Sequence, residues 1–522
     1  MTTLDGLLAG RARTEPDRVA LALPRGRGFR TTTYARLDRR VDAVAAGLQH
    51  RGVRPGMRTA LLVPPTEDFF ALAFALLRLR AVPVLVDPGI GRDKVRGCLA
   101  EARPEAFVGS AKAHLARRVL GWAPSARVLV TAGPALGAGA LRRVEDAGRW
   151  RLPFSPPEPV PGTPAAILFT SGSTGPPKGV EHTADGLLAQ AELVRSLYDL
   201  GPADVSLSTF APFALFGPVL GMTTVVPRMD MTRPADVVPA RVVGAANRFG
   251  ATVMFGSPAL LDTVSRGGGR MPTLRRVISA GAPVPRTVQR RVLAMLSDGA
   301  QVHTPYGATE ALPVATIGSA ELLDLPEGGI CVGRPVAGVD VALVRVTDDA
   351  LGELSADDLV EGVDEVGEVL VRGPVVSPAY ADRPEATAAA KVLWDGRVAH
   401  RMGDLASRDA EGRLWFAGRK AHVVHTAAGP LYSVPCEEVF NLHPGVRRSA
   451  LVGVGHEPVL VVELEPGVTA SPSLTRELLA LGAAQERTRT VHDVRYHPRL
   501  PVDIRHNSKI DRPALAAWAA TA

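Results

Sequence analysis

Short apolar runs alternate with longer segments of helical periodicity over the first 160 residues. The short runs predict buried strands, at 59–63, 82–86, 106–108 and 127–130. The segments between them predict helices, at 67–79, 94–102 and 111–120. Strands and helices that alternate in this way form mostly parallel sheets with helices on both faces, so the pattern predicts a doubly wound α/β sheet.

A second run of the same kind follows the proline-rich segment 153–164. It predicts a helix at 186–198 and strands at 165–169, 223–227, 251–255 and 274–279. Short strands and turns after about residue 328 predict a small β-barrel subdomain, and an α+β segment begins near 419. We therefore expect an α/β fold with an N-terminal domain over 1–418 and a C-terminal domain over 419–522. The subdomains of the first are expected at about 1–160, 161–327 and 328–418.

Composition excludes several classes of function. The 522 residues carry a net charge of only +7, with no dense basic run interleaved with aromatics, so nucleic acid is not expected as a partner. Three scattered cysteines suit neither a disulfide framework nor a zinc site. The apolar stretch 69–77 ends at Arg78 and is too short to span a membrane, and the N-terminus lacks the features of a signal peptide. These features predict a cytoplasmic protein.

Lysine is rare in a chain that contains 60 basic residues. The excess of arginine indicates a general compositional bias, which makes each remaining lysine informative because a compact ammonium and a planar guanidinium are not interchangeable. The six lysines are Lys94, Lys112, Lys178, Lys391, Lys420 and Lys509.

The strand at 165–169 leads into a loop of small and hydroxylated residues that ends in Pro-Pro-Lys178-Gly179. The loop consists of Thr170, Ser171, Gly172, Ser173, Thr174 and Gly175. Glycines let the backbone approach phosphate oxygens closely, hydroxyls donate hydrogen bonds to them, and Lys178 supplies a positive charge. The order of residues differs from the GxxxxGK[ST] loop. A phosphate-binding loop is the interpretation we favour over a flexible surface turn.

The string TSGSTGPPKG resembles the signature loop of the adenylate-forming superfamily, which includes acyl-CoA synthetases, peptide-synthetase adenylation domains and firefly luciferase. A downstream segment, Thr304-Pro-Tyr-Gly-Ala-Thr-Glu310, is similar to the second motif of that superfamily. The resemblance implies that ATP and Mg²⁺ are bound, with Tyr306 and the adjoining Gly307 at the adenine. It also implies that Thr309 bonds the α-phosphate and that Glu310, with Thr170, holds Mg²⁺. Carboxylate and hydroxyl oxygens suit this hard cation.

Weaker matches follow in the order of the superfamily. Gly281 and Ala282 resemble the end of the strand that lines the adenine pocket, Asp404 the aspartate that binds both ribose hydroxyls, and Arg419 the arginine beside the ribose. Lys509 resembles the lysine that a mobile C-terminal lid domain brings into the site for adenylation, where it would be catalytic with Thr309 and Glu310.

The second half-reaction depends on the nucleophile. Ala421 replaces the usual Asp or Lys of the hinge, and the segments 430–432, 210–217 and 501–509 are also distinctive. Together they resemble the β-lactone synthetases of bacterial olefin biosynthesis. That resemblance implies adenylation of a 2-alkyl-3-hydroxy fatty acid, after which the substrate's own hydroxyl closes a β-lactone without CoA.

The apolar residues that would hold the alkyl chains are Phe210, Phe213, Phe216 and Phe255, with plain core packing as the alternative. No base for the hydroxyl is assigned, because His182, His303 and His422 are each as compatible with a structural role. Two other functions stay open: a fatty acyl-CoA or acyl-carrier-protein ligase, and a non-catalytic nucleotide-binding protein. The resemblance further implies working partners, namely a thiolase-like condensing enzyme, a reductase and a β-lactone decarboxylase.

Overall fold

The computed structural model describes residues 2–135, 137–169, 176–455, 457–502 and 510–521. The first part of the chain contributes strands β1 (Val19–Arg25), β2 (Gly28–Thr33), β3 (Arg58–Leu62), β4 (Val82–Leu85), β5 (Ala106–Ser110), β6 (Val128–Ala132), β7 (Pro164–Phe169) and β8 (Gly179–Thr183). Its helices are α1 (Leu4–Thr14), α2 (Tyr34–His50), α3 (Glu67–Arg78), α4 (Arg92–Ala102), α5 (Ala111–Leu120), α6 (Leu141–Arg149) and α7 (Ala184–Leu197).

Six of these strands form one sheet in the order β6-β5-β3-β4-β7-β8. All neighbours are parallel except β7 and β8, which are antiparallel. The carboxyl ends of β3, β4, β5 and β7 therefore lie along one edge of the sheet. Ligands bind at this edge in open α/β sheets, and the predicted phosphate loop leaves from the end of β7.

The next part of the chain contributes β9 (Val205–Ser208), α8 (Ala211–Ala214), α9 (Phe216–Val219), β10 (Thr223–Val225), α10 (Pro239–Phe249), β11 (Val253–Phe255), α11 (Pro258–Gly267), β12 (Arg276–Ile278), α12 (Arg286–Leu293) and β13 (Gln301–His303). A seven-stranded sheet runs in the order β13-β12-β11-β9-β10-β1-β2. Both sheets thus draw strands from either side of residue 160. The predicted subdomain bounds stay a prediction.

Helix α3 is buried on all sides between the two sheets. Every residue from Phe69 to Leu76 is buried, which explains why its sequence is apolar around the whole circumference rather than along one stripe. Arg78 at its end is also buried and pairs with Asp38 and Asp42, at 2.7 Å each. The apolar segment is therefore a core helix. Among the described residues no helix is long and apolar enough to cross a membrane.

The third part forms an eight-stranded antiparallel sheet from β14 (Tyr306–Ala308), β15 (Ala311–Thr316), β16 (Ile330–Pro335), β17 (Asp340–Val344), β18 (Gly367–Arg372), β19 (Lys391–Trp394), β20 (Arg397–Arg408) and β21 (Leu414–Arg419). Helices α13 (Ser319–Asp324) and α14 (Pro384–Ala390) connect its strands. The last part contains β22 (Val424–Thr426), β23 (Gly429–Leu431), α15 (Ser433–Asn441), β24 (Val446–Val454), β25 (Glu457–Leu464), α16 (Pro472–Ala483), β26 (Asp493–Tyr496) and α17 (Arg512–Ala519). The predicted α/β class and the α+β character of the tail are confirmed.

Candidate active site

A cleft of about 2220 Å³ runs along the carboxyl edge of the six-stranded sheet. It gathers all of the predicted site residues that the structure describes, although they are spread over more than 240 positions of the chain. These are Lys178, Phe210, Phe213, Phe216, Phe255, Gly281, Ala282, Tyr306, Gly307, Thr309, Glu310, Asp404 and Arg419. The predicted residues Thr170, Ser171, Gly172, Ser173, Thr174, Gly175 and Lys509 lie outside the described residues.

Asp404 joins three elements of the cleft. Its strand, β20, pairs with β21 in a register that places Asp404 opposite Arg419, and Arg419 Nε lies 2.9 Å from Asp404 Oδ1. The hydroxyl of Tyr306 donates to Asp404 Oδ2 at 2.9 Å. Burial, followed by the Asp404 carboxylate, raises the pKa of Tyr306 well above its ordinary value, so this hydroxyl stays protonated and remains a donor.

Glu310 is buried at the floor of the cleft and accepts a hydrogen bond from the hydroxyl of Tyr380, at 2.8 Å from its Oε1. Backbone pairing between Val180 and Tyr380 and a hydrogen bond from Ala381 N to Gly179 O hold the tyrosine beside β8. Its ring then lies under the ammonium of Lys178, which is 4.9 Å from the ring centroid. Tyr380 thus connects the lysine of the phosphate loop with the predicted metal ligand.

Sequence reasoning missed Tyr380 and a buried polar group behind it. Lys391 Nζ donates to the carbonyl oxygen of Ser377 at 2.6 Å and to its hydroxyl at 3.2 Å, and Ser377 N donates to the carbonyl of Glu310. Burial lowers the pKa of Lys391 to about 7, although nearby Glu310 opposes the shift. His400 faces Lys391 across β19 and β20. The rarity of lysine was the one signal in the sequence that marked Lys391.

The three histidines considered as bases differ in their surroundings. His182 lines the cleft, is buried and lacks a hydrogen-bond partner at Nε2 among the described residues. Burial, with a smaller contribution from Lys391, lowers its pKa to about 4. Burial likewise lowers the pKa of His303, and that of His422 to about 4. These imidazoles are neutral near pH 7, and all three have lowered pKa values, which makes them weaker bases and does not single out one of them as the base for the hydroxyl.

Four aromatic rings form a cluster on one wall of the cleft. Phe213 stacks on Phe255 with centroids 4.0 Å apart, and it also contacts Phe210 and Phe216, with centroids 6.0 and 5.9 Å away. All four side chains line the cleft and pack against the core cluster between the two sheets. An alkyl-chain pocket and plain core packing are therefore compatible interpretations of these residues, because the same rings belong to the core and line the cleft.

The hinge candidate Ala421 lies in a short 3₁₀ turn formed by Lys420–His422, which follows Arg419 directly. Lys420 Nζ donates to Thr347 O at 2.8 Å and lies 3.1 Å from a carboxylate oxygen of Asp348. These contacts fix the beginning of the turn to the segment that follows β17. The methyl group of Ala421 cannot make such a polar contact.

The donor atoms at Glu310 fit a magnesium ion. A carboxylate is a hard oxygen ligand, and Mg²⁺ is commonly held by one or two carboxylates together with phosphate oxygens and water. Within the described residues no group of three or more His, Cys, Asp and Glu side chains is arranged to hold a metal by itself. A single carboxylate near the predicted phosphate loop matches that mode of binding.

A parallel sheet with a predicted phosphate loop at its carboxyl edge, a buried carboxylate and an adjoining antiparallel sheet are the features expected of a nucleotide-dependent enzyme that activates carboxylic acids. The model of the AMP-binding enzyme family matches residues 8–381, and the chain belongs to this family. It is 47% identical to an olefin beta-lactone synthetase of Xanthomonas campestris pv. campestris, covering 100% of this chain and 98% of the relative. A protein of the same name from Stenotrophomonas maltophilia is 48% identical, covering 97% and 96% of the two chains.

Solved structures confirm the fold. One is an O-succinylbenzoate coenzyme A synthetase from Bacillus subtilis in complex with ATP and magnesium ion. It superposes with a TM-score of 0.77 at 20% identity, covering 98% of both chains.

Proposed function

We propose that the protein adenylates a 2-alkyl-3-hydroxy fatty acid with ATP and then closes a β-lactone, releasing pyrophosphate and AMP. The observation that carries this proposal is the full-length similarity, near 47%, to two proteins named olefin beta-lactone synthetase, together with one cleft that gathers every predicted site residue that the structure describes. Ala421 at the hinge agrees with it, because ring closure does not require a site for a pantetheine thiol.

In the first step, a carboxylate oxygen of the acid attacks the α-phosphorus of ATP and pyrophosphate leaves. Lys178 supplies positive charge beside the phosphates, and Thr309 donates to the α-phosphate. Lys509 stabilises the charge that builds up between the carboxylate and the α-phosphate. Mg²⁺, held by Glu310 and Thr170, would neutralise part of the phosphate charge when bound.

The nucleoside is held by groups that already contact one another. Asp404 accepts hydrogen bonds from the ribose hydroxyls, and a carboxylate has enough lone pairs to keep Tyr306 as a donor at the same time. Arg419 neutralises the buried carboxylate, from 2.9 Å away. Tyr306, Gly307, Gly281 and Ala282 surround the adenine.

In the second step, the 3-hydroxyl oxygen attacks the activated carbonyl carbon and closes the four-membered ring. The bond from that carbon to the AMP oxygen breaks, AMP leaves, and the hydroxyl proton is released to water. The nucleophile is tethered to the electrophile, so its effective concentration can be on the order of 10⁵ M or more when it is well oriented. Packing of the alkyl chains against the apolar lining of the cleft, which includes Phe210, Phe213, Phe216 and Phe255, would provide that orientation.

The two relatives are named olefin beta-lactone synthetase, and this name supports a place for the protein in olefin formation. We expect it to act in the cytoplasm. A thiolase-like condensing enzyme and a reductase would supply the 2-alkyl-3-hydroxy acid, and a β-lactone decarboxylase would consume the lactone.

Mass spectrometry after incubation with ATP, Mg²⁺ and a synthetic 2-alkyl-3-hydroxy acid tests the proposal. A product lighter than the acid by one water, formed without CoA, is expected. The matched 2-alkyl acid that lacks the 3-hydroxyl should still be adenylated, with release of pyrophosphate from ATP, but should give no lactone. A thioester that accumulates only with CoA would instead identify an acyl-CoA ligase. ATP binding without pyrophosphate release from any 3-hydroxy acid would identify a non-catalytic protein.

A further inference from the structure

The cleft reaches both faces of the six-stranded sheet. Consecutive side chains of a strand point to opposite faces. Leu61 packs into the core cluster between the two sheets, whereas Leu62 packs into the cluster under α4 and α5. Leu85 and Val86, at the end of β4, divide in the same way. All four line the same cleft, which therefore wraps around the carboxyl edge of the sheet.

One apolar arm lies on the face between the sheets. Its walls come from β3, β4, α3 and α7, and every member packs against the same core cluster. We call it arm one, and it is lined by Leu61, Phe69, Ala73, Leu77, Leu85 and Leu187.

A second apolar arm lies on the opposite face, against α5. Ala113 and Ala116 are half-buried and three residues apart, so they lie on the same side of that helix. Their small side chains leave space between the helix and the sheet. We call this space arm two, and it is lined by Leu62, Val86, Ala113, Ala116, Trp122 and Phe169.

Polar residues of the cleft lie at the same edge of the sheet. Asp87 is two residues beyond the end of β4, and Lys178 directly precedes β8. A carboxyl group that meets the phosphates at this edge therefore has an apolar arm on either side of the sheet.

We infer that the two arms bind the two alkyl chains of the substrate separately, one chain on each face of the sheet. This inference rests on the proposed function. In a 2-alkyl-3-hydroxy acid the chains leave adjacent carbons next to the carboxyl carbon, so they diverge at once, as the arms do. A linear fatty acid would fill only one arm. Each methylene withdrawn from an arm is expected to lower kcat/KM about fourfold.

Three acids with the same carboxyl and 3-hydroxyl groups test the inference. One carries long chains at both positions, one a long chain only at C2, and one a long chain only at C3. The enzyme variants are Leu187→Trp, which narrows arm one, and Ala116→Trp, which narrows arm two. Both should lower kcat/KM for pyrophosphate release with the two-chain acid by about tenfold or more, because an indole displaces several methylenes. The two one-chain acids should respond to different variants. Leu187→Trp should lower kcat/KM for one of these acids, and Ala116→Trp should lower kcat/KM for the other acid.

Exposed residues on the same helices provide matched controls. Ala111→Trp on α5 and Glu192→Trp on α7 add an indole outside the cleft. These two variants should leave kcat/KM for all three acids unchanged. If both arm variants impair the same one-chain acid, or if Ala116→Trp affects none, the separate-arm inference is wrong. Failure of the wild-type protein to make lactone from any of the acids would instead refute the proposed function.

Discussion

Replacing Tyr380 by phenylalanine removes one hydroxyl group and leaves the aromatic ring under Lys178. The hydroxyl donates to Glu310 at 2.8 Å. Burial and the Glu310 carboxylate raise the pKa of Tyr380, so the hydroxyl remains protonated and donates throughout the working pH range. A hydrogen bond to a charged group contributes about 1.5–3 kcal/mol, which corresponds to roughly a 10- to 150-fold loss in kcat/KM if the bond holds Glu310 in its active position.

Pyrophosphate release at increasing Mg²⁺ concentrations measures this loss. The half-saturating Mg²⁺ concentration should rise in Tyr380→Phe, which a general loss of stability would not produce. Tyr496→Phe is the matched control, because it removes a tyrosine hydroxyl that contacts Thr475, outside the cleft. Unchanged pyrophosphate release and unchanged Mg²⁺ dependence in Tyr380→Phe would refute the proposed positioning of Glu310 by Tyr380.

Three further predictions concern the lysines and a buried ion pair. Lys509→Ala should abolish adenylate formation while leaving ATP binding nearly intact; isotope exchange between pyrophosphate and ATP at the wild-type rate would contradict its role. Because burial lowers the pKa of Lys391 from 10.5 to about 7, the unfolded chain takes up a proton between about pH 10 and pH 7 that the folded protein does not. As the pH falls over that range, the free energy of unfolding of the wild type should therefore decrease by roughly 3 kcal/mol relative to that of Lys391→Met. Denaturant titrations in which the difference between the two proteins stays constant with pH would disprove this prediction. Arg401→Met removes the nearer charged partner of the buried Glu368 carboxylate, 2.5 Å away in the wild type, and leaves only Lys420 at 3.9 Å, so it should cost about 3 kcal/mol of stability. Adding Glu368→Leu should recover most of the loss, and a double variant as unstable as the single one would contradict this explanation.

The local pattern of the sequence predicted the central elements well. The predicted helix at 111–120 coincides with α5, and the ends of the other predicted strands and helices deviate by no more than two residues. Strong periodicity explains this success, because a buried strand or an all-round apolar helix has few alternative environments. The pairing of β1 with β10 was beyond such reasoning, since it joins residues about 200 positions apart.

The residues of the candidate site also differ in whether a local sequence signal marks them. Contiguous motifs marked Lys178, Tyr306 and Glu310, and the structure brings them into one cleft. Tyr380 was not predicted, because its function depends on a contact with Glu310, 70 residues away, and a lone tyrosine carries no local signal. Lys391 was noticed only as a rare residue type, and its buried position became evident from the pairing of β19 with β20.

The contact between Asp404 and Arg419 has a consequence for how the enzyme senses its ligand. In the proposed mechanism the Asp404 carboxylate accepts hydrogen bonds from the ribose hydroxyls. The same carboxylate also contacts Arg419, which immediately precedes the turn with the hinge candidate Ala421. If the C-terminal segment has two orientations that differ in this contact, nucleotide occupancy and that orientation are thermodynamically linked. Such linkage is reciprocal, so any change that favours one orientation of that segment alters the affinity for nucleotide by the same factor.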